Sequence, residues 1–188
     1  MKKTFTILTL SALMIVSLNA QQKLTADAGK SALEWLGEKV TGKHDGAINL
    51  QSGWITWKDN KIQSGEFIID MNSITSFEKL DKLVGHLKSD DFFGVEKYPT
   101  AKLVIKESTS FDKGTATVKG TLTIKDITNP LEFKAAYQKK DDGNWFFANI
   151  IIDRTKYNVR FGSGSFFDNL GDKTIYDEFK LKVSLLVK

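Results

Sequence analysis

The closing stretch Ile175-Tyr176-Asp177-Glu178-Phe179-Lys180-Leu181-Lys182-Val183-Ser184-Leu185-Leu186-Val187-Lys188 decides the fold class. Ile175, Phe179, Leu181, Val183, Leu185 and Val187 stand in one alternating register, and Lys180 and Lys182 fall in the other. A period of two marks a strand with one face buried and one in water. Ala116, Val118, Gly120, Leu122 and Ile124 repeat it, and so do Leu131, Phe133, Ala135 and Tyr137. Residues 126–130 read as a turn, and Asp141-Asp142-Gly143-Asn144 as another, followed by a strand over 145–152. Upstream, 31–39, 47–58, 62–71 and 100–107 are predicted strands. About eight strands at hairpin spacing predict an all-β fold, a barrel or a sandwich.

One segment breaks the pattern. Leu80, Leu83, Val84 and Leu87 fall at i, i+3, i+4 and i+7, the stripe of a short amphipathic helix over 78–88. It sits on a connection between strands, placed to pack on the sheet or plug one end of a barrel. Two stretches fit neither period, 89–99 and 155–172. Each carries a Phe-Phe pair, Phe92-Phe93 and Phe166-Phe167. Long loops in compact domains often carry function, and at one barrel mouth these four rings would frame an opening.

With 188 residues, no linker and no repeat, the chain reads as one domain. The absence of Cys excludes disulfides, thiolate metal sites, iron–sulfur clusters and a cysteine nucleophile. Opposite charges are interleaved, 27 Lys+Arg against 23 Asp+Glu, with no basic stripe, which argues against nucleic acid as a partner. Lys2 and Lys3 precede an uncharged apolar run over 5–18 that closes with Asn19-Ala20-Gln21. That is the layout of a secretory signal peptide over 1–20, the run being shorter than the roughly 20 residues a membrane span needs. The mature domain is then 21–188, exported to a periplasm or beyond the cell.

His44 and His86 share no metal-ligand spacing, and hydrogen-bonded structural roles fit each better than ligation. Gly162-Ser163-Gly164-Ser165 is neither a nucleophile elbow nor a phosphate loop. No catalytic residue, metal ligand or cofactor is assigned, and a metal-dependent hydrolase remains the lesser alternative.

Four segments together resemble a known family. Gly85-His86-Leu87-Lys88-Ser89-Asp90-Asp91-Phe92-Phe93, followed by Tyr98-Pro99-Thr100-Ala101, is similar to a block of the YceI-like family. Val118-Lys119-Gly120-Thr121-Leu122-Thr123-Ile124 with Thr128-Asn129-Pro130, Ile152-Asp153-Arg154 with Tyr157-Asn158-Val159, and Gly42-Lys43-His44-Asp45-Gly46 resemble its other elements, in order. Three places depart from the pattern: Val84-Gly85 stands where the family has Arg-Asp, Leu103 or Ile105 where it has an aromatic, and Asn158 where it has Gly. The resemblance implies a lipocalin-like antiparallel β-barrel of about eight strands with an elongated apolar cavity. It implies binding of an isoprenoid lipid or a quinone, and no catalysis. Transient membrane contact fits such a carrier, as monomer or homodimer.

An eight-stranded barrel either fills its interior with side chains or holds one small ligand. The candidate ligand-binding residues are Trp35, Trp54, Phe67 and Phe147 on strands; Leu83 and Leu87 on the helix; and Phe92, Phe93, Tyr157, Phe161, Phe166 and Phe167 in the loops. Arg154 and Arg160, flanking Tyr157, are candidates for a polar head group, with Lys156 beside them. Trp54 and Trp57 cannot both face inward in one regular strand without a bulge. The competing reading is a structural or stress-protective β domain whose aromatics fill a dry core.

Overall fold

The computed structural model describes residues 20–188; the expected signal peptide, apart from Ala20, lies outside the described residues. Nine strands follow in chain order: β1 (Gln22–Thr25), β2 (Ala32–Lys39), β3 (Gly42–Lys58), β4 (Lys61–Asp70), β5 (Thr100–Ser108), β6 (Thr115–Ile124), β7 (Ile127–Lys140), β8 (Gly143–Asp153) and β9 (Ile175–Val187). β3, β2, β9, β8, β7, β6, β5 and β4 neighbour one another in that order, and β4 pairs with β3 to close the ring. All pairings are antiparallel, so the all-β barrel expected from the alternation is what the chain forms.

The turns follow from local chemistry. Asp59-Asn60 and Lys125-Asp126 are two-residue hairpin turns with positive φ at both positions, the twist that suits a tight hairpin. The second corrects the turn expected over 126–130: Ile127 already pairs with Ile124, and Pro130 lies inside β7. Pro130 is tolerated because β7 pairs there on one edge only, the ladder to β8 beginning at Ala135 and Ala148. Between those alanines and the barrel's upper end β7 and β8 run unpaired, bridged at the top where Asn129 Nδ2 donates to the Lys156 carbonyl (2.9 Å).

β1 carries no alternation signal in the sequence and completes the wall where β2 does not reach. It pairs with Trp54–Trp57 of β3. At its end Thr25 and Lys188 exchange two backbone hydrogen bonds, 2.7 and 2.9 Å. The lower end of the barrel therefore holds β1, the β3–β4 and β7–β8 turns and the β5–β6 connection. The upper end holds the β2–β3 and β6–β7 turns and both long connections.

The β4–β5 connection carries α1 (Asp81–Lys88), beginning later than the stripe predicts, so that Leu80 is the exposed cap residue and Leu87 the buried one. Ahead of it the chain runs along the free upper edge of β3, where Thr75 N and Phe77 N donate to the Ala47 and Asp45 carbonyls. Gly46 permits that approach: a Cβ there would lie 1.9 Å from the Thr75 oxygen and 2.8 Å from the Trp35 ring. Gly46→Ala is expected to push this segment off β3 and cost about 1–3 kcal/mol, the range for overpacking a tight contact. Urea unfolding monitored by tryptophan fluorescence checks it, with a changed native signal as the Trp35 environment opens.

Candidate functional site

The inward side chains enclose an apolar lumen. Two cavities of about 120 and 90 Å³ lie within the barrel, and Ile69, Leu122, Ile152 and Leu181 line both. Those shared residues make them two levels of one elongated space. The lower level is lined by apolar residues throughout, among them Ile55, Phe67, Val118, Phe133 and Leu185. The upper level, under α1, adds Trp35, Leu87, Phe92 and Phe93, and its polar lining is limited to Arg154, Tyr176 and Glu178.

Of the expected residues, the structure gathers Trp35, Phe67, Leu87, Phe92, Phe93 and Arg154 around this lumen. The Trp35 indole is fixed across the upper rim by donating to the Thr75 carbonyl (3.0 Å). Leu83 packs on the core from α1, and Tyr157 is buried behind Arg154 without lining the space. Phe161, Phe166 and Phe167 are exposed on the rim. Phe161 meets the His86 ring at 4.4 Å, and Arg160 lies over Phe166 at 4.4 Å.

Trp54 is on the outer wall under the Lys23 ammonium (4.6 Å), while Ile55 turns inward. Phe147 is also on the outer face, stacked on Trp145 at 5.9 Å, although it borders the lower cavity where β7 and β8 part. Phe146 takes the inward position instead. His44 takes the hydrogen-bonded role expected of it, Nδ1 standing 2.7 Å from Glu78 Oε2, but His86 does not: its Nε2 is buried without a partner and its ring packs edge-on to Phe92. Sequence reasoning passed over the aliphatic lining, Ile48, Ile69 and Ile152 among it, which strand alternation marks but which an emphasis on aromatics hides.

Arg154 is 2% exposed and its fork is committed to backbone. Nε donates to the Tyr176 carbonyl (3.1 Å), Nη1 to Val159 (2.7 Å) and Nη2 to Ile175 (3.0 Å). Asp177 lies 3.7 Å from Nη2, and the Phe92 ring covers the guanidinium carbon at 5.6 Å. One side chain thus ties the long β8–β9 connection to β9 and brings a cation to the lumen's upper end. Burial lowers the guanidinium's proton affinity, and Asp177 and Asp153 oppose the loss. Burial alone would raise the Asp177 carboxyl; the nearby Ser163 hydroxyl, a hydrogen bond from Ser165 and the Arg154 charge outweigh it and hold the group below its ordinary value.

Three outcomes follow from this clamp. Arg154→Ala is expected to destabilise the fold by about 3–5 kcal/mol, because it strands a carboxylate and three carbonyls. Arg154→Lys is expected to recover little of that, since an ammonium cannot match the planar fork; thermal unfolding checks both. Because the Asp177 carboxyl is depressed in the folded state, its stabilising contribution is present above the unfolded value near 3.9 and is lost as pH falls through the folded one. Below about pH 4 the native chain should lose stability faster than Asp177→Asn, measured by urea midpoints across pH.

Comparison with known proteins fits this architecture. A model of the YceI-like domain matches residues 24–187. A UPF0312 protein of Pseudomonas putida is 27% identical over 152 residues, covering 77% of this chain and 78% of its own. The crystal structure of Burkholderia cenocepacia BcnA superposes with a TM-score of 0.72 at 21% identity, over 87% of this chain and 99% of that one. A polyisoprenoid binding domain from Saccharophagus degradans, implicated in plant cell wall breakdown, superposes at 0.66 with 16% identity, over 88% and 97%. With the family's domain matched along the whole barrel, the chain belongs to the YceI-like family.

Proposed function

We propose that this protein is an exported carrier that holds the tail of an isoprenoid lipid, a polyprenyl chain or an isoprenoid quinone, in the barrel lumen. The observation that carries the reading is the shape and lining of that lumen: elongated, apolar throughout its lower level, with a buried cation at the upper end alone. An amphiphile with a long apolar tail and one compact polar head fits that gradient in one direction. The polyisoprenoid-binding domain of S. degradans, built on the same barrel, supports the tail's chemistry.

Energetics favour carriage over permanent capture. At about 0.8 kcal/mol per buried CH₂, a chain of about 40 carbons taken from water would gain on the order of 30 kcal/mol. That exceeds the ceiling of about 20 kcal/mol for non-covalent complexes, so water is the wrong donor. A lipid leaving a bilayer trades one apolar medium for another, and the net term reduces to lumen shape, head-group contacts and chain ordering. Exchange with a membrane is therefore the natural mode of loading. The upper rim presents exposed Phe161, Phe166 and Phe167 beside Arg160, a surface suited to transient bilayer contact.

Native mass spectrometry of the full chain, expressed with its own leader and recovered from the exported fraction, tests the reading. The expected result is a protein starting at Gln21 with an adduct that extracts into organic solvent as a polyprenyl chain or quinone. A bare mass that stays bare after incubation with polyprenols and quinones would overturn it in favour of a filled structural barrel, and retention in the cytoplasm at full length would overturn export. Truncating the exposed rim by Phe166→Ala with Phe167→Ala should leave tail affinity in detergent unchanged while slowing transfer from vesicles severalfold.

A further inference from the structure

The lower end of the lumen is blind. Trp57, Phe111, Tyr137 and Phe146 come from β3, the β5–β6 connection, β7 and β8, and every pair among the four is in ring contact. Phe146 meets Trp57 at 5.5 Å, Phe111 at 5.5 Å and Tyr137 at 5.2 Å. It is also the one of the four that lines the lower cavity. The cluster is braced from below. Tyr137 Oη donates to Asn144 Oδ1 (3.0 Å), Phe111 N donates to the Asn60 carbonyl (2.8 Å), and β1 pairs alongside Trp57. A group of rings in which each meets the other three yields little without losing several of those contacts at once.

Directly above this floor the wall changes character. Ala135 and Ala148 face each other across the β7–β8 ladder, and both line the lower cavity. Two methyl groups side by side, where neighbouring levels carry Phe133 and Ile150, leave the width through which the end of a chain could pass. The lumen thus narrows to a fixed stop rather than tapering into a compressible aliphatic core.

We propose that Phe146, held by Trp57, Phe111 and Tyr137, is a chain-length gauge: it sets the longest isoprenoid tail that the barrel accepts, and Ala135 and Ala148 provide the last space above it. This rests on the reading that the lumen takes an isoprenoid tail. The geometry makes a directional demand. A tail lying head-up beneath α1 meets Phe146 with its terminal isoprene unit, so units beyond that point must remain outside the mouth, in water, or the chain must fold back.

The experiment uses the delipidated mature protein and a graded series of polyprenols, offered one length at a time, with occupancy read by native mass spectrometry. In the native protein, occupancy is expected to fall sharply beyond one chain length. Ala148→Leu, which fills space above the floor, should move that limit to shorter chains by an isoprene unit or more. Phe146→Ala should move it to longer chains by a similar step. Circular dichroism and unfolding midpoints show that each variant is folded; if Phe146→Ala is not, Ala148→Leu and Ala135→Leu carry the test by themselves. A limit that stays put in the folded variants overturns the gauge while leaving the lipid-binding reading intact. Occupancy that does not fall with length overturns it too, and would mean that long tails leave sideways where β7 and β8 are unpaired. Absence of any polyprenol from the native protein overturns both the gauge and the reading beneath it.

Discussion

Closure of the sheet is the constraint on which the rest depends. Once β4 pairs back onto β3, every second side chain of eight strands is committed to one shared interior. Whether that interior is solid or hollow is then a matter of volume at each level. Wide side chains at the lower end, Trp57, Phe111, Tyr137 and Phe146, meet across the axis and fill it. Ala135, Ala148 and Ala101 at higher levels do not reach, and a lumen opens between the aliphatic residues around them. The cavity is a consequence of residue size on a fixed scaffold, with no special backbone device needed to make it.

The two ends solve different problems. The lower end must exclude water from a large apolar surface, and it does so with rings in mutual contact and with β1 laid along the lower half of β3. The upper end is crossed by both long connections, and its order comes from directed polar contacts. Arg154 alone collects three carbonyls, and Lys125 reaches from the β6–β7 turn to the Phe92 carbonyl at 2.9 Å, fastening the loop that follows α1. The buried Arg154 and the half-buried Lys125 thus anchor the β8–β9 connection and the loop after α1 through charge-assisted bonds to backbone carbonyls.

Period-two alternation was enough to place the eight strands of the barrel, because a half-buried sheet writes its two faces directly into the residue order. It was not enough to assign faces where a bulge intervenes. In β3 the inward register runs through Ile48 and Leu50, then shifts at the irregularity between Leu50 and Ser52, so that Ile55 faces in and Trp54 out. Nothing near Gln51 announces that extra residue. In β8 the signal was present and outweighed by ring size: Phe146, Ala148, Ile150 and Ile152 form an unbroken apolar register, whereas Asn149 marks the register of Phe147 as the outer one. β1 was illegible for a physical reason. Four residues are too few to display an alternation, and pairing with β3 and the contact of Thr25 with Lys188 hold them instead. Arg154 could be singled out by its position beside a long loop, but its three carbonyl partners come from segments five and more residues away and depend on the loop's path.

Stability must be unevenly distributed in such a barrel, and the distribution follows from the same contacts. The strands around the ring cluster bury side chains completely: Ile55, Val118, Leu186 and Val187 are 0–1% exposed, as Phe111 and Phe146 nearly are within it. α1 is eight residues long, lacks a side-chain cap at its start and buries only Leu87 fully. Local opening is cheapest where few apolar contacts and few buried hydrogen bonds must be broken, which puts the α1 end at the low-stability extreme and the floor at the other. The proposed carriage of a long tail fits that ordering, with α1 the yielding element over the mouth and the ring cluster the rigid one beneath it. Reversing it, with a soft floor under a welded mouth, would let the core loosen before the lumen could be reached.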